Sequence, residues 1–236
     1  MTKSELYNGV CRIKEYLDIC DESYPIDMFE LCRKIYGLEV EKVAFKTKDL
    51  RGMLCVANDS SENSVILVNS NKSLVEQNYH CAHEFMHLFN DAPAAGTIIR
   101  CFDKLRPNQN RYVEWLANEG AAELLVPYKM LLPMIKDKYS YIDSNIFGAF
   151  DFCQKQSRLF NVSAIVLINR LGNLKYEIHQ YLNGTPIEQI NILSKTEQDR
   201  QNIIVKSLIE IEDERFKQLY SRREQIENQY NNSVSF

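Results

Sequence analysis

The spacings that build disulfide frameworks and structural zinc clusters are missing from this chain of 236 residues. Its seven cysteines include no Cys-x-x-Cys pair, and even the nearest two, Cys11 and Cys20, stand well apart. An odd count at such intervals points to reduced, mostly buried thiols. A basic excess is missing too. Lys and Arg number 28 against 32 Asp and Glu, a formal net charge of −4, which argues against broad attraction to nucleic acid. The longest unbroken apolar run, Ala164–Ile168, is far too short to span a bilayer, and no basic stretch followed by an apolar core opens the chain. Neither export nor membrane anchoring is expected, so the setting read here is cytoplasmic. With 45% hydrophobic and 25% charged residues, the chain has the composition of a globular protein, which excludes disorder throughout.

Histidine is scarce, with four in all, yet two of them fall in His83-Glu84-Phe85-Met86-His87. Residues four apart on a helix share a face, so both imidazoles can bind one zinc ion as neutral ligands. Glu84, offset by one position, reaches the attacking water rather than the metal and is the candidate general base.

A third ligand is required, and the stretch from Arg111 supplies one. Nothing but Gly120 interrupts it before Pro127, and Trp115, Leu116, Ala122, Leu125 and Val126 recur at helical spacing. Glu114 lies near the start of this helix and Asn118 one turn later on almost the same face. One of them can bind zinc while the other orients a ligating imidazole. Two His and one Glu leave the fourth position open, as a catalytic zinc site requires.

Ala82-His83-Glu84-x-x-His87, followed by Glu114-x-x-Ala117-Asn118-x-x-Ala121-Ala122-x-Leu124-Leu125-x-Pro127, resembles the ImmA/IrrE family of metallo-endopeptidases over roughly residues 25 to 172. The resemblance implies zinc ligands at His83, His87 and Glu114, a catalytic Glu84, and an intracellular bacterial or phage-associated zinc protease that relieves repression by cutting a helix-turn-helix repressor. Three positions depart from the family pattern. Met86 stands where Gly or another small residue is usual, Gly120 replaces a common Phe, and Val126 a frequent Met. All three bear on packing and pocket shape, and Gly120 costs its helix about 1 kcal/mol relative to Ala.

The fold class expected is α+β and mostly helical, with a small antiparallel three-stranded sheet beside the helix of His83 and His87 and a helical C-terminal half. Four segments follow: N-terminal helices over 1–37, a zinc-peptidase core over 38–135, a helical hairpin region over 136–185, and a charged helix and tail over 186–236. The first helix runs from Ser4 to Asp18 with Leu6, Val10, Ile13 and Leu17 as its stripe, and a second follows Pro25 and stops at Gly37. Strands are predicted at Leu38–Phe45, Met53–Ala57 and Val65–Val68. An exposed edge of such a sheet can hold an extended substrate by strand addition. The site helix runs from Ser73 to Asn90, with Ser73 and Glu76 forming a capping box. Between the two motifs, Asp91 to Asn110 reads as a lip over the cleft or an ordinary connector, with a short ordered piece at Ile98–Phe102.

After Pro127, helices are expected at Tyr128–Asp137, Ser144–Phe160 and Ser163–Leu171. The last two resemble a helix-turn-helix, with Lys155, Arg158, Arg170 and Lys175 nearby. A hairpin packed on the core is preferred to DNA binding, because four scattered cations make a thin electrostatic footprint. From Thr196 to about Asn228 balanced charges and an apolar edge of Val205, Ile209, Phe216, Leu219 and Ile226 predict one solvated helix.

The function read from these residues is zinc-dependent hydrolysis of a peptide bond. The protein substrate expected is a helix-turn-helix repressor, with no direct nucleic-acid partner and no membrane. A second donor to the oxyanion is open among Tyr79, His80, Tyr112, Tyr128 and His179. Two other classes stand beside the hydrolase. One is a metal-containing sensor that sequesters a repressor or antitoxin uncut; the other is a DNA-binding regulator through residues 144–172. An intact base at Glu84 speaks for hydrolysis.

Overall fold

The computed structural model describes residues 1–91, 93–143 and 146–205, together with 221, 222 and 225. Helix α1 (Lys3–Tyr16) opens on a capping box in which Thr2 and Glu5 satisfy each other's backbone N–H groups. Its stripe of Leu6, Tyr7 and Val10 is buried. The short α2 (Met28–Arg33), capped by Asp27, follows, and Gly37 turns the chain at φ +77°.

Four strands come next: β1 (Leu38–Val43), β2 (Leu50–Cys55), β3 (Ser64–Asn69) and, after a long helix, β4 (Ile98–Phe102). Their order is β1-β3-β2-β4. Three antiparallel strands were expected; the sheet has four and is mixed, because β1 pairs parallel to β3 from Leu38↔Ser64 to Val43↔Asn69. Alternation of apolar and polar residues has the same period in parallel and antiparallel strands, so strand direction is decided by where β1 docks. Leu38 and Val40 of β1, Leu54 of β2, and Ile66 and Val68 of β3 turn one sheet face into the core. Strand β4 contributes only Cys101 to that core, so it carries almost no alternation in sequence. It lies at the edge, paired antiparallel to β2 with Gly52 opposite Cys101.

Helix α3 (Leu74–Asp91) crosses the covered sheet face, with Cys81, Ala82, Phe85 and Met86 fully buried. At its start Glu76 accepts from the Ser73 N–H at 3.0 Å. Asn78 holds it in place by accepting from Met28 N–H at 2.9 Å and donating to the carbonyls of Ile26 and Asn161 at 3.0 and 3.1 Å. Helix α4 (Arg111–Leu125) packs against α3 through Ala117, Ala121 and Leu124. Asn110 caps it, and Pro127 lies just past its C-cap, Val126.

The C-terminal half is helical: α5 (Tyr128–Asp143), α6 (Ile146–Gln156), α7 (Ala164–Asn173, capped by Ser163), α8 (Lys175–Leu182) and α9 (Lys195–Arg200). Arg170 of α7 is 1% exposed and pairs with Glu119 at 2.7 Å and with Glu123, both on α4. Tyr7 of α1 joins them, its hydroxyl donating to Glu119 at 2.5 Å. One buried charge cluster thus ties α1, α4 and α7 together, and of the four cations considered for DNA, Arg170 is spent inside the core.

The single helix expected from Thr196 stops early. Helix α9 ends at Arg200 and Asn202 adopts a left-handed φ of 54°, with Ile203 N–H closing on the Gln198 carbonyl at 2.9 Å. Ile209, Phe216, Leu219 and Ile226 of its expected apolar edge lie outside the described residues. Among the described residues, no helix is long and apolar enough to cross a membrane.

Candidate metal centre

The α3–α4 contact brings His83, His87 and Glu114 to one point. The two Nε2 atoms are 3.1 Å apart, His83 Nε2 lies 3.4 Å from Glu114 Oε2, and His87 Nε2 lies 3.8 Å from Glu114 Oε1. Zinc bonds of about 2.0–2.3 Å place tetrahedral donors roughly 3.3–3.8 Å from one another. The observed separations are close to those edges, so the three donors fit a single ion. Both His are buried, and Glu114 is mostly covered.

The electrostatics suit the same purpose. Burial holds His83 below its usual pKa despite the opposing pull of Glu114, so at neutral pH the imidazole is neutral, as a ligand must be. The His83–Glu114 contact is then an ion–dipole contact rather than a full ion pair. Burial also raises Glu114, but contacts with His83, His87 and Gln109 outweigh it and keep the carboxylate ionised. Gln109 donates to Glu114 Oε1 at 2.8 Å and to the Arg100 carbonyl of β4 at 3.0 Å, which ties the carboxylate to the edge strand.

Glu84 is fully buried, and neither of its carboxylate oxygens has a well-formed hydrogen bond. Burial pushes its pKa up to about 8, with His87 and the Cys101 thiol pulling the other way. An unpaired buried carboxylate is expensive, and a divalent cation beside it would compensate it and restore the ionised form. His83 Nδ1 is likewise buried without a partner. These orphaned atoms and the convergent donor set fit a bound metal.

A profile of the Peptidase_M78 family, the IrrE N-terminal-like domain, matches residues 33–172, more than half of the chain and all of the site. The chain belongs to the Peptidase_M78 family. It therefore carries a metallopeptidase-type domain. No curated protein matches it.

Within this Peptidase_M78 domain, two neighbours of the site were not assigned a role from sequence. Gly52 on β2 faces Glu84: a Cβ there would stand 2.5 Å from Glu84 Oε1 and 3.0 Å from its Cγ. Only glycine leaves that carboxylate its place, and a glycine inside a strand pattern is the hint for such a close approach. The second neighbour is Cys101, whose Sγ is 3.2 Å from His83 Nε2 and belongs with His83, His87 and Glu114 to a set of donor atoms all within 4.8 Å of one another. Spacing in sequence could not select it, because β4 was not legible as a strand.

Asn118 was expected to orient an imidazole. Its amide instead donates to the Glu114 carbonyl at 2.7 Å, one turn back in α4, while its own carbonyl accepts from the Tyr79 hydroxyl at 3.2 Å. Of the other residues considered for the oxyanion, Tyr112 donates to the Met1 carbonyl, Tyr128 stacks on Tyr7, and His179 contacts Asn183. His80 is one turn before His83 on α3 and lines a cavity of about 630 Å³ between α3, α4 and α7. On the other side of the donors, a cavity of about 500 Å³ runs along β4 and the loop to Asn110, lined by His87, Arg100, Gln109 and Glu114 among others.

Proposed function

We propose that this metallopeptidase is a zinc-dependent endopeptidase that cuts an intracellular helix-turn-helix repressor, with His83, His87 and Glu114 as zinc ligands and Glu84 as general base. The observation that carries the reading is the convergence of those three donors at ligand separations, beside a buried carboxylate that faces no cation among the described residues and has the Cys101 thiol as a polar neighbour. Zinc bound there would supply Lewis acidity toward a peptide carbonyl and toward water.

The chain's own residues do the rest. Glu84 takes the proton of the attacking water and returns it to the leaving amine, while Gly52 keeps that carboxylate free to move between the two. Glu114, held by Gln109, keeps its orientation toward the imidazoles. A substrate strand has an edge to pair with, because among the described residues β4 pairs with one strand, β2, and it borders the donors. Gln109 occupies the Arg100 carbonyl on that strand, so a peptide that pairs there must displace it. The alternative of DNA binding through 144–172 has less support, since Arg170 is committed to Glu119 and Glu123.

Metal analysis of the purified protein, with incubation against a helix-turn-helix regulator drawn from the neighbouring genes, tests the reading. About one zinc per chain and a cut regulator are expected from the wild type, and zinc without cleavage from Glu84→Gln. Undiminished cleavage by Glu84→Gln would exclude the mechanism.

A further inference from the structure

We propose that Cys101 is a fourth protein donor, so that the resting centre is closed by His83, His87, Glu114 and Cys101, and hydrolysis begins only when the thiolate withdraws. The inference rests on the zinc reading above, and it changes what the free enzyme is: a latched centre in place of one with a permanently open position.

Two observations and one chemical argument carry it. Cys101 Sγ stands 3.2 Å from His83 Nε2, close to a tetrahedral donor edge and similar to the 3.1 Å between the two imidazoles. Thiolate, imidazole and carboxylate together are a donor set that zinc accepts, and four protein donors leave no position for solvent. Finally, Cys101 is 2% exposed on a strand whose ladder to β2 fixes where it points.

The same strand is not fully regular. It is an edge strand, and its register with β2 is broken between Leu50 and Gly52, at the rung beside Cys101. Irregularities of this kind re-aim side chains next to active sites. A peptide pairing with the free edge of β4 would pull on the element that carries the latch, which couples substrate arrival to opening. Protons balance simply: the thiol releases one to solvent when it binds the metal and recovers one when it leaves, and no electrons are transferred.

Cobalt(II) added to the metal-free full chain tests this with a readout independent of activity. The wild type is expected to show a thiolate-to-cobalt charge-transfer band that saturates at one equivalent, together with visible ligand-field bands. Cys101→Ala should lose the charge-transfer band, keep ligand-field bands from the remaining donors, and cleave the regulator faster than wild type. Cys101→Ser serves as a second variant that preserves side-chain volume. Ligand-field bands without a charge-transfer band in the wild type overturn the latch and leave the zinc reading standing, as does a charge-transfer band that survives in both variants. Loss of the band without faster cleavage overturns the latching role. No cobalt bands of either kind would sink the zinc reading itself, and the latch with it.

Discussion

Met86 on α3 fills the space that Gly120 leaves on α4: a Cβ at position 120 would stand 2.7 Å from Met86 Cε. Position 86 departs from the family pattern by being large where a small residue is usual, and position 120 by being small where Phe is common. In the structure these are one departure, an exchange of volume across the α3–α4 contact. Leu6 of α1 closes the pocket at 3.4 Å from the same point.

The exchange predicts strong coupling. Met86→Gly should cost about 3 kcal/mol or more, from the cavity and the helical glycine together. Gly120→Phe should cost about 1–3 kcal/mol by overpacking. Combined, they should be less destabilising than the sum by at least about 1 kcal/mol. Chemical denaturation of the four proteins gives the coupling, and simple additivity would show that the two residues do not share a volume.

Gly52→Ala should damage catalysis without unfolding the sheet. The added methyl competes with Glu84 for space, so the carboxylate must swing away, and misplacement of a reacting group by about 1 Å can cost on the order of 100-fold in rate. Metal content should be unchanged, since the three atoms nearest the new methyl all belong to Glu84. Wild-type kcat in this variant would mean that Glu84 does not act from the position described.

The buried Glu84 carboxyl has a pH signature in the metal-free protein. Its folded-state pKa of about 8 lies above its ordinary value of 4.5, so between those pH values the folded chain holds a proton that the unfolded chain has released. Stability must then fall as pH rises from about 4.5 to 8 and level off above that range. Glu84→Gln removes this contribution. Thermal unfolding across that window should show the variant gaining on the wild type as pH rises; parallel curves would contradict the buried, unpaired state of Glu84.

Arg170→Met should be severely destabilising, because it strands Glu119 and Glu123 in the core without their partner. Removing one member of a buried charge cluster typically costs about 3–5 kcal/mol. Adding Glu119→Gln and Glu123→Gln to that variant should recover part of the loss. A mild effect of Arg170→Met in denaturant titrations would mean that the cluster does not hold α7 to α4 and α1.

Sequence alone determined the parts of this protein that repeat along the chain. The four-residue interval between His83 and His87, the helical stretch from Arg111 toward Pro127 with Glu114 near its start, and the β-rich runs of β1, β2 and β3 between turn-forming residues are each local features of the chain. A candidate ligand pair on one helix and the approximate boundaries of two helices are therefore legible before folding. Tertiary structure decided everything that depends on which segments become neighbours. Strand β4 fully buries one side chain, Cys101, and so lacks a pattern; it became a strand only because β2 had an edge to pair with. The parallel docking of β1, the space that Gly52 leaves for Glu84, the compensation between Met86 and Gly120, and the arrival of Cys101 beside His83 are all contacts between residues distant in the chain. Periodicity reports which face of an element is apolar, but the identity of the atoms across that face is set by packing, and at this candidate metal centre packing placed the Cys101 thiol among the donor atoms of His83, His87 and Glu114.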